Sequence, residues 1–188
     1  RYKPRRHMSN NQSPYMLESA SDYLRASRLL WTKPNLCGVA VVNAAIAIEI
    51  ILKSFTAQPS DNKRKGTVGE QYEIKGKRLH KLTDLAKAID PDIYKLLGFN
   101  KHEYWFEKYD NLFVQARYPY EPTANGGYTE IPISIGIEMF KATIAWYKKT
   151  DNKDPWVLCI LMLQVVAYNK ALCLKGIYAI HIRSNTGK

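Results

Sequence analysis

The residues with the most chemical potential lie in three places. Glu49 and Lys53 are four positions apart, so on a helix they share a face, and Asn43 occupies an adjacent part of that surface. These three are the polar side chains of residues 36–53, an otherwise apolar run. Polar groups in such surroundings must be paired, because burying them alone is costly. The cluster reads either as a polar site between helices or as a structural ion pair. The second place is Gln115-Ala116-Arg117-Tyr118-Pro119-Tyr120-Glu121. Arg117 can grip a phosphate with a forked pair of hydrogen bonds, Tyr118 and Tyr120 can stack on bases, and Glu121 adds a carboxylate. Arg117 can equally pair with a buried carboxylate such as Glu49 and fix the packing of two helices. The third place is His80, just before a helix and between Leu79 and Leu82, where a histidine is a candidate acid–base group or, more commonly, a cap or packing group. His102 and Tyr104 are expected in an exposed first turn, and His181 falls in the C-terminal tail. No Ser/His/Asp set and no metal-ligand cluster stands out. Gly66, Gly69 and Gly76-Lys77 lack the spacing of a phosphate-cradling loop, so neither a metal nor a cofactor is expected.

The elements that position these residues are mostly helical. Ser13-Pro14 reads as a helix start, and Leu17, Ala20, Tyr23, Leu24, Ser27 and Trp31 recur near a 3.6-residue period until Pro34. Residues 36–55 are too long an apolar run for a strand and carry four alanines, which predicts a helix apolar on nearly all sides, at the centre of a bundle or in an oligomer interface. Residues 58–78 predict a long loop with a short hairpin over 66–74. Leu79, Leu82, Leu85, Ala86 and Ile89 mark a short helix, and Asp90-Pro91 starts another turn that ends at Gly98. Asn100 and Glu103 have the spacing of a capping box for a helix that carries Trp105, Tyr109, Leu112 and Ala116 on one stripe and Phe106, Asp110, Phe113 and Arg117 on the next. Asn125-Gly126-Gly127 predicts a turn, and Ser134 a cap for a helix burying Ile137, Phe140, Ile144 and Tyr147. One further apolar helix from Trp156 and a short strand over 177–182 complete the expectation. Three regions result: a basic arm over 1–12, a mostly helical domain over 13–149, and a C-terminal extension over 150–188.

At 188 residues and 46% hydrophobic content the chain is long and apolar enough to bury a core, which excludes global disorder. Cys37, Cys159 and Cys173 are odd in number and lack CxxC spacing, so a disulfide framework is not expected and a reducing, cytoplasmic compartment is. The first fourteen residues are polar and basic, which predicts no signal peptide, and the apolar stretch 156–168 is too short to span a bilayer. The net charge of +11 reads either as a call for a polyanionic partner (nucleic acid, a nucleotide or an acidic protein) or as surplus lysine that keeps a domain soluble. Arg1, Lys3, Arg5 and Arg6 form one basic cluster, and Lys63, Arg64, Lys65, Lys75, Lys77, Arg78 and Lys81 another, so Lys77 and Arg78 join the candidate binding residues.

The order of these features resembles the HEPN superfamily, helical domains of bacterial toxin–antitoxin and defence systems. The resemblance covers residues 13–149. It is carried by Tyr23-Leu24-Arg25-Ala26-Ser27-Arg28-Leu29-Leu30, then by residues 44–53 with Glu49 and Lys53, then by Leu79-His80-Lys81-Leu82-Thr83-Asp84-Leu85, and last by the segment 113–121 around Arg117. It implies an all-α up-and-down bundle of four to five helices that often dimerises, and in many members a metal-independent ribonuclease in which an Arg and a His four to six residues later, from both subunits, face the dimer cleft. The Arg would stabilise phosphate charge and the His would act on the 2′-hydroxyl. Arg117 matches the Arg, but residues 121–123 are Glu, Pro and Thr, so the usual His is missing. The leading expectation is therefore a non-catalytic, homodimeric module that binds RNA, a nucleotide, or a partner protein such as a cognate antitoxin. The alternatives are a ribonuclease toxin with a non-standard site of Arg117, His80 and Glu49, and a purely structural dimerisation domain.

Overall fold

Ser13 and Pro14 begin the first helix as their types require. In the computed structural model, which describes residues 13–60, 71–74, 80–112, 120, 122 and 127–150, the Ser13 hydroxyl accepts from the Met16 amide at 3.4 Å, and Pro14 opens α1 (Pro14–Trp31). Asn35 takes the left-handed conformation (φ 61°) that its short polar side chain tolerates, and the chain reverses into α2 (Cys37–Ser54). The Ser13 amide donates to the Ser54 carbonyl at 3.2 Å, so the start of α1 meets the end of α2 and the two form an antiparallel hairpin. Leu17, Ala20, Leu24 and Ser27 of the predicted stripe are buried; Tyr23 lies at its edge, 38% exposed.

α2 is the central element. It packs on α1, on α3 (Leu82–Lys87) and on α6 (Ile131–Lys149), which is why it needs apolar side chains on nearly every face. Ala40, Val41, Ala44, Ala45, Ala47, Ile48, Ile51 and Leu52 are all buried. Its length and composition would also suffice to cross a membrane, but half of it is already buried inside the bundle. The alanines let α1 and α6 approach closely. Gly136 of α6 extends this: a Cβ there would lie 2.7 Å from Leu24 Cδ2, so only glycine fits without a shift. Buried hydroxyls are satisfied nearby, with Ser27 Oγ donating to the Ala40 carbonyl at 2.6 Å and Thr143 Oγ1 to Met139 at 2.8 Å.

A two-stranded antiparallel hairpin follows α2. β1 (Ala57–Ser60) pairs with β2 (Gln71–Ile74), with Ala57 opposite Ile74 and Ser60 opposite Gln71. The hairpin is therefore wider than the one expected over 66–74, and its first arm adjoins the helix end. Next come α3 and α4 (Pro91–Leu96), the latter capped by Asp90, whose Oδ1 accepts from the amides of Asp92 and Ile93 at 2.9 and 3.1 Å. Gly98 closes α4 at φ 73°, as a helix stop requires. A 3-10 turn (Phe99–His102) leads into α5 (Glu103–Lys108). Phe99 contacts both Phe55 and Tyr94 edge-on, and Phe55 also meets Trp146, which ties α4 and the 3-10 turn to the ends of α2 and α6.

The fold is all-α, with 73% of the described residues helical, about six helices and only this small sheet. Three expectations need correction. Asn100 does not form a capping box: it lies inside the 3-10 turn, and α5 starts at Glu103 with no side-chain cap. The expected helix from Asn100 through Arg117 breaks after Lys108, and helical geometry resumes at Leu112. The last helix starts at Ile131 with Pro132 in its first turn, not at Ser134, which is exposed in its interior. All described residues belong to one compact unit, Arg1–Asn152. The expected helix from Trp156 and the strand over 177–182 lie outside them.

Candidate functional site

The site forms where the start of α3 meets α2 and the end of α5. Glu49 sits on the α2 face turned toward α3, with its side chain 14% exposed. Its Oε1 takes two partners: Lys53 Nζ from the next turn at 2.5 Å and His80 Nδ1 at 3.1 Å. Lys53 is as buried as Glu49, whereas the His80 ring is 75% exposed. Two residues chosen from the sequence, Glu49 and His80, are thus brought together from positions far apart in the chain.

Asp110 holds the adjoining turn. The cap position of α3 is Lys81, which supplies no side-chain cap. Asp110 supplies it from outside: Oδ1 accepts from the Thr83 amide at 2.9 Å and Oδ2 from the Thr83 hydroxyl at 2.8 Å, with Lys81 Nζ at 3.8 Å. The chain leaves helical geometry at Tyr109 and Asp110, which delivers this carboxylate to α3. Three of the residues 80–83, His80, Lys81 and Thr83, are therefore held by two acids, Glu49 from α2 and Asp110 from the α5 end. Asp110, Thr83 and Lys81 escaped the sequence reading as a unit. The available signal was one carboxylate between two phenylalanines, Phe106 and Phe113, on its stripe, facing a helix whose own cap residue is a lysine.

The other candidates divide. Asn43 turns back on its own helix, its amide donating to the Val39 carbonyl at 2.7 Å, which is a structural role. Tyr120 is 79% exposed. Arg117, Tyr118, Glu121, Lys77 and Arg78 lie outside the described residues, and the Arg117–Glu49 pairing falls with them. Within the described residues Glu49 pairs with Lys53 and His80. His102 is not in an exposed turn: its side chain is 12% exposed, beside Phe106, with Nε2 3.5 Å from Glu138. Burial holds its pKa below the usual histidine value; Glu138 works against that and Lys101 with it. Tyr104, by contrast, is exposed as expected. Between α3, α4 and α5 lies a cavity of about 370 Å³, floored by Ala86, Ile89 and Phe106 and edged by Lys87, Glu103 and Glu107. Tyr94 borders it, its phenol pushed up to about 12 by burial and then by Glu103. Among the described residues no group of three or more His, Cys, Asp and Glu could hold a metal ion.

Charge is distributed unevenly. The described residues hold twelve Lys and Arg against twelve Asp and Glu, so they balance. By sequence, basic residues cluster over residues 1–6, over residues 63–65 and over residues 75–79, within a net charge of +11. One of these, residues 75–79, holds Lys75, Lys77 and Arg78 and runs directly into His80. Comparison with protein-family models, curated proteins and solved structures finds no match. The described residues form an all-α bundle with a polar cluster at the α2–α3 junction.

Proposed function

We propose that this chain is a HEPN-like, homodimeric module that binds RNA through its basic segments and does not cleave it. The observation that carries the reading is the charge: a net +11, with basic clusters over residues 1–6 and 63–81, the second of which runs into the turn held by Glu49 and Asp110. Such a pattern suits a scaffold that presents cations to a phosphate backbone. Arg117, Tyr118 and Tyr120 belong to this surface in the proposal, with Arg117 on phosphate and the tyrosines on bases. Glu49 and Lys53 serve as its support. The setting proposed is a cytoplasmic defence or toxin–antitoxin system, with a cognate protein as a further partner.

A second reading, a metal-independent ribonuclease, is favoured by one contact. A largely buried carboxylate that holds Nδ1 of an exposed imidazole orients the ring, as a second group orients the histidine in general acid–base catalysis. Incubating the purified protein with mixed RNA in chelator, beside His80→Ala and Arg117→Ala, separates the two. Salt-sensitive binding without cleavage supports the binding module. Cleavage lost in both variants supports the ribonuclease and rejects our first reading.

A further inference from the structure

α5 is a short helix with two unlike sides. Glu103, Phe106 and Glu107 face the cavity against α3 and α4. The other side presents an aromatic ladder. Tyr104 meets Trp105 edge-to-face at 5.0 Å, and Trp105 stacks on Tyr109 at 5.6 Å with the rings 20° apart. Lys108 Nζ lies 5.0 Å over the Trp105 ring. The inner end is anchored: Tyr109 packs against Val41, Ala45 and Leu112, and its hydroxyl lies 3.3 Å from Thr129 Oγ1. The outer end is open, with Tyr104 64% exposed. The residue after Tyr109 is Asp110, which pins Thr83, so the ladder runs up to the residues next to His80. Core packing accounts for Tyr109 and does not account for an exposed tyrosine set against the tryptophan.

We propose that this ladder is a stacking platform for unpaired bases of single-stranded RNA, with Tyr104 as the outermost ring and Lys108 supplying charge near the phosphates. The proposal rests on the RNA-binding reading and adds the form of RNA that is bound. Rings held in order by one another lose little freedom when a base stacks on them, and stacking tolerates any base. Paired bases in a duplex offer no such faces. Glu103 and Glu107 line the cavity flank of α5, while Lys108, four residues on from Tyr104 and over Trp105, supplies the cation on the ladder.

The test compares wild type, Tyr104→Ala, Tyr104→Phe and Lys108→Ala by fluorescence anisotropy with three probes: an oligouridylate, an RNA duplex of equal length, and heparin. The expected result is a roughly tenfold loss of oligouridylate affinity in Tyr104→Ala, the scale of one stacked base. Tyr104→Phe keeps affinity, and duplex and heparin binding change less than twofold. A Tyr104→Ala protein that binds oligouridylate within twofold of wild type overturns the platform alone. If sedimentation shows the same variant dissociating from dimer to monomer with RNA affinity unchanged, the ladder is an interface between copies and the proposal is wrong. A wild type that binds none of the three probes removes the RNA reading and the platform with it. Tyr104 is exposed, so an unchanged thermal melt is expected for its variants.

Discussion

Replacing Glu49 by methionine, alone and together with Lys53→Met, is the sharpest test of how α2 tolerates charge. The two side chains are 14% and 13% exposed, close to the buried limit. An exposed pair contributes at most about 1 kcal/mol, while removing one member of a fully buried pair costs about 3–5 kcal/mol. Lys53 lies between these limits and can extend toward water, so Glu49→Met should cost about 2 kcal/mol. With a urea m-value of about 2 kcal/mol/M, the unfolding midpoint falls by about 1 M. Adding Lys53→Met removes the stranded ammonium and lets both methionines pack along α2. The double variant should then return to within about 1 kcal/mol of wild type, a large non-additive term in the cycle. Urea unfolding followed by circular dichroism reads all four proteins. A neutral Glu49→Met would refute the burial argument. A double variant as unstable as the sum of its singles would refute the claim that the pair only cancels its own charge.

Three further outcomes follow from the geometry. Asp110→Ala removes both hydrogen bonds to Thr83 and should cost about 2 kcal/mol in urea unfolding, with faster hydrogen exchange at the Thr83 amide; Asp110→Asn should recover part of the loss. Gly136→Val drives a branched side chain into Leu24 and should lower stability by about 1–3 kcal/mol, whereas a neutral result would mean the α1–α6 contact is loose. His102 is held below its unfolded pKa chiefly by burial, so the unfolded state binds more protons. Its contribution is full above the ordinary histidine value of about 6.5 and is lost as pH falls through the lower folded value. The urea midpoint should therefore drop as pH falls from about 6.5 through the lower folded value, and His102→Gln should flatten the drop.

The bundle was legible where a long apolar period had little competition. α1, α2 and α6 carry it over many turns, and Ser13-Pro14 and Asp90-Pro91 mark real helix starts because caps act locally. The region after His80 was less legible, since its short helices are fixed by distant groups. Trp105 to Ala116 has helical spacing, yet the chain breaks at Tyr109 and Asp110, where the carboxylate serves α3. Nothing near Asp110 in sequence reveals that partner. Asn100 has the residue type of a cap but lies within the 3-10 turn after Gly98. At the site, Glu49 and Lys53 were readable as a pair four apart, because polar groups on so apolar a helix demand partners. His80 and Glu49 were grouped by sequence only in the alternative site with Arg117; their direct contact needed the fold, since residues 55–79 separate His80 from α2.

The central claim is that the basic segments grip a phosphate backbone. The direct measurement is the salt dependence of oligouridylate binding, for wild type and for a variant with Lys75, Lys77 and Arg78 all changed to glutamine. For single strands, log K should fall linearly with log salt, by about 0.7 per phosphate neutralised. The triple variant should bind more weakly, with a slope shallower by about 2 and an unchanged thermal melt. Absence of binding at low salt, or a slope identical in the two proteins, would contradict the account.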